Sequence, residues 1–177
     1  FKNNGLATLI PISCDLDIGI NGKWQLTMEH PFDKELRYQH LVEDAILRVT
    51  GLSCVNEQEQ DTDRFWLAGK VQMFRVFDTK KTLTSVTVIA FPVALEAVYD
   101  TPIENLTIQN KTGIQAAEIL DAQTQKYSIS SDITRTASSK YENTNLIESI
   151  SGDNDDSYVK KWGGEIVYDN YKIKIRN

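Results

Sequence analysis

His30 and His40 are the only histidines in the chain. A nucleophilic triad would need one of them beside a serine or cysteine with an acidic orienter, and no strained strand–turn–helix sequence around a nucleophile accompanies either. Ordinary strand-end and loop histidines are the simpler expectation. Asp15, Asp17 and Glu29 fall on one face of the hairpin described below, where a carboxylate pair for glycoside hydrolysis could be built; a solvated polar face explains them more simply. Asp153, Asp155 and Ser157 alternate as calcium-loop ligands do, but the sixth position is Tyr158 instead of a turn-forming glycine and the twelfth is Gly164 instead of a bidentate glutamate. Cys14 and Cys54 stand forty positions apart, a spacing that fits neither a disulfide framework nor a zinc knuckle, so both are read as reduced, mostly buried thiols. Gly163-Gly164 is not followed by the lysine-bearing helix start of a phosphate loop. No catalytic, metal-binding or cofactor-binding residue is therefore expected.

Composition sets the frame for these residues. At 177 residues, 41% hydrophobic and 25% charged, the chain has the make-up of an ordered globular protein with one core or two small ones. A net charge of −6 opposes nucleic-acid or anionic-membrane partners, since Lys80-Lys81 and Lys160-Lys161 are isolated pairs best read as solvated turns. No run approaches the roughly 20 apolar residues that span a bilayer. The chain reads as soluble and unsecreted, with a trimmed start at Phe1 leaving a lost leader open. The sequons Asn105-Leu106-Thr107 and Asn110-Lys111-Thr112 would matter only in a secretory compartment.

The elements that would position any site are mainly strands. Ile12, Cys14, Leu16, Ile18 and Ile20 alternate with polar residues, as do Trp24, Leu26 and Met28, which predicts a hairpin. A two-residue Asn21-Gly22 loop would put the apolar rows on opposite faces. A three-residue loop, Ile20-Asn21-Gly22 with Gly22 left-handed, pairs Ile18 with Trp24 and Leu16 with Leu26 instead. Residues 31–42 suggest a turn with a short helical piece, and Ala45–Val49 a strand. The long acidic loop 51–69 carries Glu57, Glu59, Asp61 and Asp63, then Phe65, Trp66 and Leu67. Trp66 either pins this loop to the core, the simpler reading, or joins Phe65 and Leu67 as a subunit interface. Val71–Phe77 and Leu83–Phe91 predict a second hairpin with its turn at 78–82. A boundary is expected at Asp100-Thr101-Pro102, separating subdomains 1–101 and 102–177. Beyond it come a short strand at 106–109, a capping box Thr112-x-x-Gln115 opening a helix with Ile114, Ala116, Ala117, Ile119 and Leu120 on its apolar stripe, and a strand at 127–133. These would form a right-handed crossover if the strands are parallel. A helix over 145–150 ends at Gly152 as a C-cap, and a last hairpin turns at Asp169-Asn170, pairing Ile166 with Ile173 and Glu165 with Lys174.

Three stretches resemble the N-terminal region of the phage minor structural protein, or prophage tail endopeptidase (tail-associated lysin), family. They are Ile12 to Pro31 with its Asn21-Gly22 turn; Gln72-Met73-Phe74-Arg75-Val76-Phe77; and Tyr158 to Ile166 with Trp162-Gly163-Gly164-Glu165 ahead of the last hairpin. Trp24 stands where that family usually carries Tyr or another aromatic. The resemblance covers nearly the whole chain. It implies an α+β, mainly β fold: antiparallel hairpins in a barrel-like first subdomain, then a smaller α/β subdomain that is incomplete at its C-terminus. It also implies a baseplate-hub protein of the virion tail tip, assembled in the bacterial host cytoplasm, trimeric in full length, and partnered by distal tail and tape-measure proteins. A cell-wall-degrading endopeptidase and a glycan- or receptor-binding module are the alternatives.

Overall fold

The structure, a computed structural model, describes residues 5–50 and 70–177. Cys54 and the candidate interface Phe65, Trp66 and Leu67 lie outside the described residues. Within them strand outweighs helix, 46% to 21%, so the fold is mainly β with a smaller α/β part, as expected. The chain divides into two compact units, Phe1–Asp17 with Trp24–Pro92 and Ile18–Lys23 with Val93–Asn177. The division follows Pro92, nine residues before the expected boundary. Val93, Ala94 and Ala97 are fully buried, and helix α1 (Ala97–Asp100) packs on the later helix Leu146–Ser151, which places this apolar segment in the second unit.

In the first unit, strands β1 (Ser13–Ile18), β2 (Trp24–Pro31), β3 (Ile46–Val49), β4 (Gln72–Lys81) and β5 (Ser85–Pro92) form one antiparallel sheet. Its order is β1-β2-β5-β4-β3, and it curls into a half-barrel. Period-two alternation explains the core: Leu26 and Met28 of β2, Phe74 and Val76 of β4, and Val86, Val88 and Ala90 of β5 share the concave side, joined by Leu41 and Leu47. A 3₁₀ turn at Arg37–His40 occupies the predicted helical piece. β1 departs from expectation. Ile12 and Cys14 are exposed and Leu16 is half-buried, because an edge strand with one neighbour leaves its apolar row at the rim of the core. The second hairpin turns at Thr82–Thr84, at the far end of the expected 78–82 turn, where Thr82 Oγ1 accepts the N–H groups of Thr84 at 3.2 Å and Ser85 at 3.0 Å. A bulge at Phe77 separates the pairs Val76–Ala90 and Asp78–Ile89.

The second unit carries a long antiparallel ribbon of β6 (Pro102–Thr112) and β8 (Thr136–Asn145), and a three-stranded sheet ordered β7-β10-β9. β7 is Ser128–Ser131, β9 Glu165–Asp169 and β10 Lys172–Arg176. Helix α2 (Gly113–Asp121) opens with the predicted capping box, Thr112 accepting from Gln115 N–H and Gln115 accepting from Thr112 N–H. Ala116, Ala117 and Leu120 are buried, but Ile114 is 39% exposed. The crossover does not form, because β6 pairs with β8 while β7 joins β10, in parallel, in the other sheet. Helix α3 (Leu146–Ser151) is N-capped by Asn145 and meets Gly152 at φ −61°, so that glycine is not left-handed. Space requires it instead: a Cβ there would lie 2.4 Å from the Glu148 carbonyl oxygen. The unforeseen helix α4 (Tyr158–Trp162) stacks Tyr158 on Trp162 with ring centroids 5.0 Å apart.

The last hairpin shifts by two residues from its expected register. Its loop is Asn170-Tyr171, so Ile173 pairs with Tyr168 and Ile175 with Ile166. Faces survive a shift of two. Asn170 takes φ 57°, and Lys174 reaches Asp169 at 2.6 Å in place of Glu165, which stands opposite Arg176.

Candidate functional site

His30 ends the inward row of β2 with no exposed surface. Its Nε2 accepts the Ile10 N–H at 3.3 Å, and its Nδ1 lies 2.7 Å from the Pro31 carbonyl oxygen. Since Ile10 donates to Nε2, the proton belongs on Nδ1, and both ring nitrogens of this neutral tautomer are engaged with backbone. A base so bound has no free lone pair to offer a substrate. His40 is exposed. Asp15 and Asp17 are exposed, and Glu29 accepts the Ser85 hydroxyl at 2.7 Å. Although Cys14 is exposed as a residue, partial shielding of its thiol and the neighbouring Asp15 carboxylate push that thiol up, the reverse of what a nucleophilic thiolate needs. Among the described residues no three His, Cys, Asp or Glu side chains converge as metal ligands do.

In the run Asp153 to Ser157, side chains cap backbone. Asn154 Oδ1 accepts the Asp156 N–H at 3.1 Å, Lys161 pairs with Asp156 at 3.0 Å, and Ser157 is buried at the start of α4. A shallow groove of about 210 Å³ between β7 and β10 is lined by Ser130, Ser131, Asp132, Lys174, Ile175 and Arg176. It is smaller than the roughly 300 Å³ at which ligand pockets begin. Its Asp132 accepts the Asn177 N–H and its Lys174 is paired with Asp169.

A cluster of ionisable side chains that was not foreseen lies elsewhere in the second unit. Lys126 Nζ contacts Asp100 Oδ2 at 2.6 Å and Glu96 Oε2 at 2.9 Å, while the Tyr127 hydroxyl donates to the same Asp100 oxygen at 2.8 Å. The ammonium also lies 5.1 Å and 5.8 Å from the ring centroids of Tyr127 and Tyr171. Burial alone would raise Asp100, but the hydrogen bonds from Lys126 and Tyr127 outweigh it and hold the carboxyl below its usual range. Burial would likewise lower Lys126, yet its bonds to Asp100, Tyr127 and Glu96 raise it. Both groups are thus fixed more firmly in their charged forms, away from the poise of a general acid or base near neutral pH. The arrangement fastens α1 to the chain after α2. Its one sequence signal was Glu96 and Asp100 at i, i+4.

A second node joins two stretches that the sequence singled out. Segment 18–23 belongs to the second unit, where Gly19 N–H donates to Lys23 O at 3.4 Å around the loop Ile20-Asn21-Gly22. The left-handed residue is Asn21, φ 53°, and not Gly22. Asn21 Nδ2 donates to Gly164 O at 2.8 Å, and its Oδ1 accepts the Ile166 N–H at 2.8 Å. The side chain thereby pairs with the outer edge of β9 as a neighbouring strand would. Gly163 and Gly164 hold φ 86° and 101°, and a Cβ on Gly164 would lie 2.4 Å from Ile133 Cδ1. Trp162 Nε1 donates to Lys111 O at 2.8 Å and Tyr158 bonds Ser131, which ties α4 to β6 and β7. A scan against protein-family models matches none to this chain, and a search of curated proteins likewise matches none.

Proposed function

We propose that this chain is a non-catalytic structural module of a phage or prophage tail tip, a baseplate-hub-like part acting in tail assembly and host attachment. The observation that supports this reading is the joining of Asn21 to Gly164 and Ile166. The tip of the first of the three stretches on which the family resemblance rests, residues 18–23, and the third stretch, more than 140 residues away in sequence, meet at one node within the second unit. The engaged nitrogens of His30 and the firmly charged Lys126–Asp100 pair also favour a scaffold over an enzyme. Assembly would use surfaces left open by the fold, such as edge strand β1 with the exposed Ile10 and Ile12 beside it. Light scattering and cross-linking of the full-length protein test the reading. A homotrimer is expected; a strict monomer at high concentration contradicts it. Sustained release of fragments from purified cell wall, lost on changing Glu29 or His30, would establish the endopeptidase alternative instead.

A further inference from the structure

Asn-Gly is the dipeptide most prone to deamidation, because glycine leaves its amide nitrogen unshielded for attack on the preceding side chain. The chain holds two, Asn4-Gly5 and Asn21-Gly22. In the reaction the Gly22 amide nitrogen loses its proton and bonds to Asn21 Cγ, and the Cγ–Nδ2 bond breaks to release ammonia. Water then opens the succinimide at either carbonyl, leaving aspartate or isoaspartate. No oxidant or cofactor takes part. Every reacting group at Asn21 is engaged in the folded protein. The Gly22 N–H donates to Gly19 O at 3.1 Å, and the Asn21 amide is held through both its nitrogen and its oxygen, against Gly164 O and the Ile166 N–H. Asn21 is also fixed at φ 53°.

We propose that Asn21-Gly22 is a conformationally gated modification site: the closed tip holds the amide inert, and opening of the tip commits it to deamidation. The product cannot restore the clip. An aspartate keeps an acceptor for the Ile166 N–H but sets a carboxylate oxygen, with no hydrogen, against Gly164 O, and an isoaspartate also lengthens the backbone by one carbon. The change is one-way and adds a negative charge, so it would act as a record of how often the tip has opened.

The test is to incubate the intact chain in mildly alkaline buffer, native and in concentrated urea, and to quantify aspartate and isoaspartate at each site by peptide mapping. In urea the two Asn-Gly sites should react at comparable rates, which calibrates the chemistry. In the native protein Asn21 should react slower than in urea by about tenfold or more, the factor that about 1.4 kcal/mol of opening cost gives. The Gly164→Ala variant, which displaces the acceptor without altering the dipeptide, should speed the native reaction at Asn21 if its circular dichroism stays native. Equal native and urea rates at Asn21 overturn the proposal, as does a folded Gly164→Ala protein with an unchanged rate.

Discussion

Replacing Asn21 with alanine removes two contacts and strains one backbone residue at once. Each side-chain hydrogen bond to the β9 edge contributes about 0.5–1.5 kcal/mol net, and leaving the Ile166 N–H and Gly164 carbonyl poorly satisfied adds to the loss. A residue with a Cβ and no local side-chain hydrogen bond costs roughly 1–2 kcal/mol in the left-handed region, which Asn21 occupies at φ 53°. Asn21→Ala should therefore destabilise the protein by about 2–5 kcal/mol, whereas Asn21→Gly, which loses the contacts but fits the backbone, should cost about 1–3 kcal/mol. Urea titrations compared at constant slope give both values, and hydrogen exchange at the Ile166 amide reports the local event. An Asn21→Ala protein within about 0.5 kcal/mol of the parent, the range of inconsequential surface changes, would refute the claim that this node supports the fold.

Gly164→Ala should cost about 2–3 kcal/mol through φ 101° and the close Ile133 Cδ1, while Gly163→Ala, with nothing within 4 Å, should cost only its backbone strain; thermal melts of the two order them. Burial pushes the Tyr168 hydroxyl up to about 12, so its contribution is complete below the unfolded value of 10.0 and is lost as pH rises toward 12. Tyr168→Phe should flatten that alkaline limb in urea titrations taken across the range. Asp100 has the opposite sign: its lowered value gives stability present above 3.8 and lost as pH falls through the folded-state value. Asp100→Asn should remove that acid limb at a neutral-pH cost of a few tenths of a kcal/mol, since the pair is solvent-screened.

How much of this was legible depends on the range of the interaction involved. Alternation in Trp24–His30 and in the second hairpin marked the core of the first unit, because burial on one sheet face imposes period two wherever a strand has neighbours on both sides. The same pattern misled at Ile12 and Cys14, where strand order, unseen in sequence, puts β1 at an edge. Strand β8 went unread because Thr136–Asn145 has only Ala137 and Tyr141 as apolar residues and owes its conformation to pairing with β6. The last hairpin kept its faces but not its register, since a shift of two leaves Ile166, Tyr168, Ile173 and Ile175 together. Asn21 and the Gly163-Gly164 pair were visible as turn chemistry, yet their contact was not. The Lys126 cluster likewise gathers residues 96, 100, 126, 127 and 171, which only the folded chain brings together.

The proposal of a structural tail-tip module is tested most directly by locating the chain. If the proposal holds, antibodies raised against the chain should decorate one end of the tail on purified particles of the phage or prophage that encodes it, in every particle and at fixed position. Particles that carry no trace of the chain, by labelling and by mass spectrometry, would contradict a virion role.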